Sequence, residues 1–115
     1  MVAVDEVEFL NLPIRMVMPL PDAIRIIINR VVEEKRFKHR LFLITCRNDE
    51  GVREAGLDAS GDILAAGRIL ANQIRGMASR FTRPFTVTIE AHLDTPKQKK
   101  TITWELFYKK GSENE

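Results

Sequence analysis

Apolar and polar residues alternate with period two along two adjacent stretches near the C-terminus. In Phe85–Leu93, Phe85, Val87, Ile89 and Ala91 share one face, and Thr86, Thr88, Glu90 and His92 the other. In Thr101–Tyr108, Ile102, Trp104, Leu106 and Tyr108 alternate with Thr101, Thr103, Glu105 and Phe107. Two such runs predict a half-buried antiparallel hairpin, with Trp104 and Tyr108 facing the core. The tip, Asp94-Thr95-Pro96-Lys97-Gln98-Lys99-Lys100, reads as a flexible cationic arm.

Elsewhere the period changes to that of a helix. Pro21 and Asp22 suit a first turn, and Ile24, Ile27, Ile28 and Val31 form a core stripe that runs to about Arg36. A second helix begins near Ser60 as its cap, with Asp62 in the first turn. It buries Ile63, Ala66, Leu70, Ile74, Met77 and Phe81 and turns Arg68, Asn72, Arg75 and Ser79 outward. Ile14–Met18 and Leu41–Cys46 read as short strands, and Phe37-Lys38-His39-Arg40 as a basic link into the second of them. Residues 1–13 form an N-terminal extension or an edge strand limited by Pro13. Asn48–Gly61, with three glycines and five acids out to Asp62, reads as a mobile loop, and residues 111–115 as a disordered tail. No internal repeat stands out.

These elements give one domain over residues 14–110, of class α/β in the broad sense (α+β), in the order β-α-β-α-β-β. Right-handed crossovers would then place both helices on one face of a four-stranded mixed sheet with an extended C-terminal hairpin. The bare face would need cover, which predicts a dimer.

Composition narrows the class. At 115 residues, 44 % hydrophobic and 30 % charged, the chain is an ordinary globular domain. No apolar run spans a bilayer, and no secretory leader stands at the N-terminus, so the expected location is intracellular: cytoplasm, nucleoid or nucleus. The single cysteine, Cys46, falls in an apolar strand and is expected to be a buried, inert thiol. Net charge is only +2, but it is unevenly spread. Residues 15–48 hold eight lysines and arginines against three acids, and residues 63–110 nine against three. Acids dominate the N-terminus, the 49–62 segment and the tail. Such a partition lets a near-neutral chain present a cationic surface.

Candidate chemistry points away from catalysis. His39 and His92 have no companion at metal-ligand spacing, and there is no phosphate-binding loop, dinucleotide fingerprint or nucleophile elbow. The acids Asp49, Glu50, Glu54, Asp58 and Asp62 do not match a calcium loop. The expectation is therefore no enzyme, no metal and no cofactor. The cations carry more: Lys97, Lys99 and Lys100 at the tip, Arg68 and Arg75 on a helix face, and Arg15 and Arg47 near strand ends suit phosphate oxygens.

The second helix ending in Arg80-Phe81, the short proline turn and the hairpin closing through Thr101-Ile102-Thr103-Trp104-Glu105-Leu106 onto lysines resemble the Alba family. These are small nucleic-acid-binding proteins of archaeal chromatin, with relatives in eukaryotic RNA-processing particles. The resemblance covers about Ile14 to Lys110. It implies Lys97, Lys99 and Lys100 as arm contacts, Phe81 near a protein–protein contact, and a homodimer or a heterodimer with a paralogue. Two features depart from the family: Met18-Pro19-Leu20-Pro21 lacks its adjacent lysines, and the segment before the second helix is acidic. The element order also resembles the C-terminal domain of the bacterial initiation factor that acts on the small ribosomal subunit. The functional expectation is a non-enzymatic DNA- or RNA-binding protein that contacts the backbone. The alternative is a protein–protein adaptor or assembly subunit without direct nucleic-acid binding.

Overall fold

The computed structural model describes residues 5–13 and 15–110. Ile14, part of the expected first strand, and the expected tail 111–115 lie outside the described residues, as do residues 1–4. The elements are β1 (Asp5–Phe9), β2 (Met16–Pro19), α1 (Leu20–Glu33), β3 (His39–Asn48), β4 (Gly51–Asp58), α2 (Ile63–Ala78), β5 (Phe85–Asp94) and β6 (Lys99–Lys110). The class is α+β. The sheet has six strands rather than four, in the order β2-β1-β6-β5-β3-β4, and every pairing is antiparallel rather than mixed.

β5 sets the register. Its residues alternate strictly between buried and half-buried, with Phe85, Val87, Ile89, Ala91 and Leu93 all on the helix side. Its neighbours match it: Ile44 and Trp104 flank Ile89, and Cys46 and Leu106 flank Val87. The two helices cover this inner face and bury Ile24, Ile27, Leu70 and Ile74 against it. The outer face carries Thr45, Thr86, Thr88, Thr103, Glu90 and Glu105, with Leu41 and Leu43 exposed among them. Water satisfies a threonine-rich face, so the bare sheet by itself demands no second copy.

Two segments outside the expected four-stranded sheet are strands. β1 is an interior strand between β2 and β6, because Val7 and Phe9 fit the inner face and are 0 % and 2 % exposed. The acidic segment folds back on β3 as β4 through the turn Asp49-Glu50. Gly51 leaves that turn at φ 141°, where side chains are strained. Glu50 locks the turn to the link after α2: it accepts from the Thr82 backbone N–H (2.9 Å) and hydroxyl. These bonds and Asn48 hold its carboxyl well below the usual range, at about 2. β4 escapes a periodicity reading because it is an edge strand, with Val52, Arg53 and Glu54 all exposed.

Smaller corrections follow from hydrogen bonds. Asp62, not Ser60, caps α2, accepting from the backbone N–H of Leu64 (3.1 Å) and Ala65 (3.2 Å). Ser60 instead ties the end of β4 to Arg40, accepting from its N–H at 2.9 Å. α1 starts at Leu20, one residue before Pro21, and ends at Glu33.

A repeat is also visible once the topology is known. The units β1-β2-α1 and β3-β4-α2 lie on either side of the central β5–β6 hairpin. At a constant offset of 43 residues α1 matches α2: Ala23/Ala66, Arg25/Arg68, Ile26/Ile69 and Asn29/Asn72 are identical. Because β2 and β4 point in opposite directions, the helices that follow them run antiparallel.

Phe9→Ala should cost about 3–5 kcal/mol in denaturant unfolding, as expected for a large core aromatic. A loss of under about 1 kcal/mol would return β1 to the status of a dispensable extension.

Candidate nucleic-acid interface

The hairpin tip is shorter and more ordered than an arm. β5 pairs with β3 up to His39–Asp94, so only residues 95–98 project beyond the sheet. Thr95 closes that turn. Its backbone N–H donates to the Gln98 carbonyl at 2.8 Å, and its hydroxyl accepts from the N–H groups of Lys97 (3.2 Å) and Gln98 (3.0 Å). Lys97 and Lys99 are exposed on this turn.

The register brings a second basic segment to the same end. α1 finishes at Glu33, and the connection Glu34 to Lys38 enters β3 beside the tip. Phe37, 1 % exposed, anchors this connection in the core, which turns Lys35, Arg36 and Lys38 outward. The Arg36 guanidinium lies 4.9 Å from the centre of the Phe37 ring. Arg36, Lys38 and His39 line one shallow surface with Asp94, Thr95 and Pro96. Among the described residues, Lys35, Arg36, Lys38, Lys97 and Lys99 have no carboxylate partner, while His39 faces Asp94 at 3.4 Å. The run 35–40 was readable as basic in the sequence. Its nearness to the tip was not, because that depends on which strand β3 pairs with.

The remaining candidates do not gather here. Lys100 turns to the helix side and donates to Glu34 at 2.7 Å, alongside Arg30 at 2.7 Å. Those two bonds, Lys100 first, hold the Glu34 carboxyl down at about 2. Arg15 grips Glu8 through two bonds of 2.6 and 3.0 Å, at the β1–β2 side of the sheet. These bonds lower the Glu8 carboxyl and raise the Arg15 guanidinium. Arg75 is paired with Asp5 at 3.1 Å, and the Tyr108 hydroxyl donates to the same carboxylate at 2.6 Å. Arg47 is exposed on the outer face, about 26 Å along β3 from His39. Arg68 stands on α2. Phe81 is no surface contact: it is 2 % exposed and stacks on Phe85, which stacks on Tyr108, each pair 4.6 Å between ring centres. Each such pair contributes about 0.5–1.5 kcal/mol beyond its buried area.

Other chemistry is sparse. Among the described residues no three His, Cys, Asp or Glu side chains come together as a metal-ligand set. The acids near β4 have structural partners instead: Asp49 pairs with Arg83 (3.0 Å), and Asp58 accepts from Ser60 N–H (2.9 Å). Cys46 is fully buried, and burial pushes its thiol up to about 12. No helix among the described residues is long and apolar enough to cross a membrane.

Two measurements check this electrostatic picture. Glu34 has a folded-state pKa depressed from an ordinary 4.5 to about 2, so its contribution is full above 4.5 and lost as pH falls through 2. Glu34→Gln should therefore lose less stability than the native chain over that window in acid unfolding. Cys46 should resist a disulfide-exchange reagent in the folded protein and react once denaturant is added. Comparison with protein-family models, curated proteins and solved structures finds no match to this chain, so its surface is interpreted from its own residues.

Proposed function

We propose that the chain is a non-enzymatic nucleic-acid-binding protein, which contacts phosphate backbones through the end of the sheet where the β5–β6 tip meets the α1–β3 connection. One observation carries this reading. Segments 35–39 and 95–99, sixty residues apart in sequence, meet at one end of the sheet: Arg36 and Lys38 line a shallow surface with Asp94, Thr95 and Pro96, and Lys35, Lys97 and Lys99 are exposed on the same two segments, none of the five with a carboxylate partner among the described residues. Lysines on such a surface act as point charges that displace counterions, and Arg36 adds a planar fork for phosphate oxygens. Exposed aromatic side chains are absent from this cluster, which disfavours base stacking and suits backbone contacts with little sequence readout.

A protein–protein adaptor is the second reading. It draws on the outer sheet face, where Leu41 and Leu43 stand 38 % and 39 % exposed among threonines and glutamates.

The test is fluorescence anisotropy with duplex DNA, duplex RNA and single strands across a salt series. If Lys38, Lys97 and Lys99 each contact a phosphate, replacing all three by alanine should flatten the log–log salt slope by about 2–3 units. Arg47→Ala, at the other end of β3, should leave the slope alone. An unchanged slope in the triple variant, or no binding to any probe at low salt, would overturn the proposal and favour the adaptor.

A further inference from the structure

A second site lies on the helix layer and does not depend on the nucleic-acid reading. Between α1 and α2 runs a groove of about 430 Å³, within the size range of small-molecule sites. Its floor is Ile24, Ile28, Gly67 and Ala71, and its rim holds three arginines and two asparagines: Arg25, Arg68, Arg75, Asn29 and Asn72. The floor exists because α2 has small residues where α1 has isoleucines. Gly67 is equivalent to Ile24, and Ala71 to Ile28, at the 43-residue offset. A Cβ on Gly67 would stand 3.1 Å from the Ile28 side chain, so glycine lets the helices close at the base of the groove.

The repeated residues separate packing from something else. Ala23/Ala66 is explained by burial in the core. Arg25/Arg68 and Asn29/Asn72 are exposed and need no such place. Asparagine in a helix interior is worse than alanine by a few tenths of a kcal/mol, up to about 0.7. Asn29 recovers nothing from its side chain, which has no hydrogen-bond partner among the described residues; Asn72 only accepts from Arg75 at 3.4 Å. Both asparagines nevertheless flank the same groove. The arginines are poised rather than spent. Asp5 takes Arg75 Nε at 3.1 Å and so orients that guanidinium, whose Nη1 reaches Asn72 at 3.4 Å on the rim. Arg25 touches Asp22 at a loose 3.3 Å on the open surface, and Arg68 has no carboxylate partner among the described residues.

We propose that this groove binds a small organic anion. The phosphate or carboxylate head is held by Arg68 with Arg25 and Arg75, the asparagine amides complete its hydrogen bonds, and the apolar body lies on Ile24, Ile28 and Ala71. The donors on both walls favour a compact charged head over a protein helix, which would bring an extended apolar stripe instead.

The experiment is calorimetric titration of the full chain with adenosine monophosphate, decanoate and inorganic phosphate, paired with amide chemical-shift mapping. Saturable binding of adenosine monophosphate or decanoate is expected, stronger than that of phosphate alone, with shifts centred on Ile28 and Ala71. Arg68→Gln, an exposed substitution that leaves the core intact, should weaken binding about tenfold, the loss of one charge-assisted bond. Lys97→Ala/Lys99→Ala should leave it unchanged, which separates this groove from the basic end. The proposal falls if neither organic probe saturates below about 5 mM. It also falls if phosphate alone binds as tightly, if Arg68→Gln has no effect, or if the shifts map to the hairpin tip.

Discussion

The pleat of β5 is the constraint on which the rest of the structure depends. Five apolar side chains from Phe85 to Leu93 face one way, so a one-residue slip would turn threonines, Glu90 and His92 into the core. Once β5 is oriented, β3 and β6 must present Phe42, Ile44, Cys46, Trp104, Leu106 and Tyr108 to the same side. The helices then have a single surface to cover. β1 joins as a consequence, since Val7 and Phe9 extend the apolar rows beyond Tyr108 and Leu106.

Charge is used in two different ways around that core. Where a carboxylate has little exposure or lies beside a helix, it takes the nearest cation: Glu8 takes Arg15, Asp5 takes Arg75, Glu34 takes Lys100. These pairs tie β1 to the residue before β2, β1 to α2, and the C-cap of α1 to β6. Each gives a carboxylate partner to a cation that sequence counting would leave free. The cations left without a carboxylate partner among the described residues include Lys35, Arg36, Lys38 and Lys97 on turns and connections, and Arg47, Arg68 and Lys99 within regular elements. This division produces a basic end on a chain whose net charge is only +2.

The helix layer adds a different kind of asymmetry. Two similar helices run antiparallel over one sheet face, and their exposed arginines and asparagines stand at equivalent positions. Their floors differ, large on α1 and small on α2, which is what opens a groove instead of a flat seam. The molecule therefore presents an ordered cationic turn at one end and an apolar, arginine-rimmed cleft on its helical side.

Local periodicity determined the C-terminal hairpin, both helices, the inward facing of Trp104 and Tyr108, and the α+β class. Each of those signals lies within one element, where burial on one face leaves its mark every second or every third to fourth residue. Strand pairing decided the rest. An edge strand within residues 1–13 was readable from Val7 and Phe9 alternating with acids, but its interior place between β2 and β6 was not, and β4 becomes a strand because β3 offers it an edge. That Lys38 lies on one surface with Thr95 and Pro96, and that Lys100 is taken by Glu34, depends on contacts between residues about sixty positions apart. The repeat in α1 and α2 was present as letters, yet only the structure shows that Ala23/Ala66 is required by core packing, that Arg25/Arg68 and Asn29/Asn72 line a shared groove, and that Ile26/Ile69 is exposed outside it.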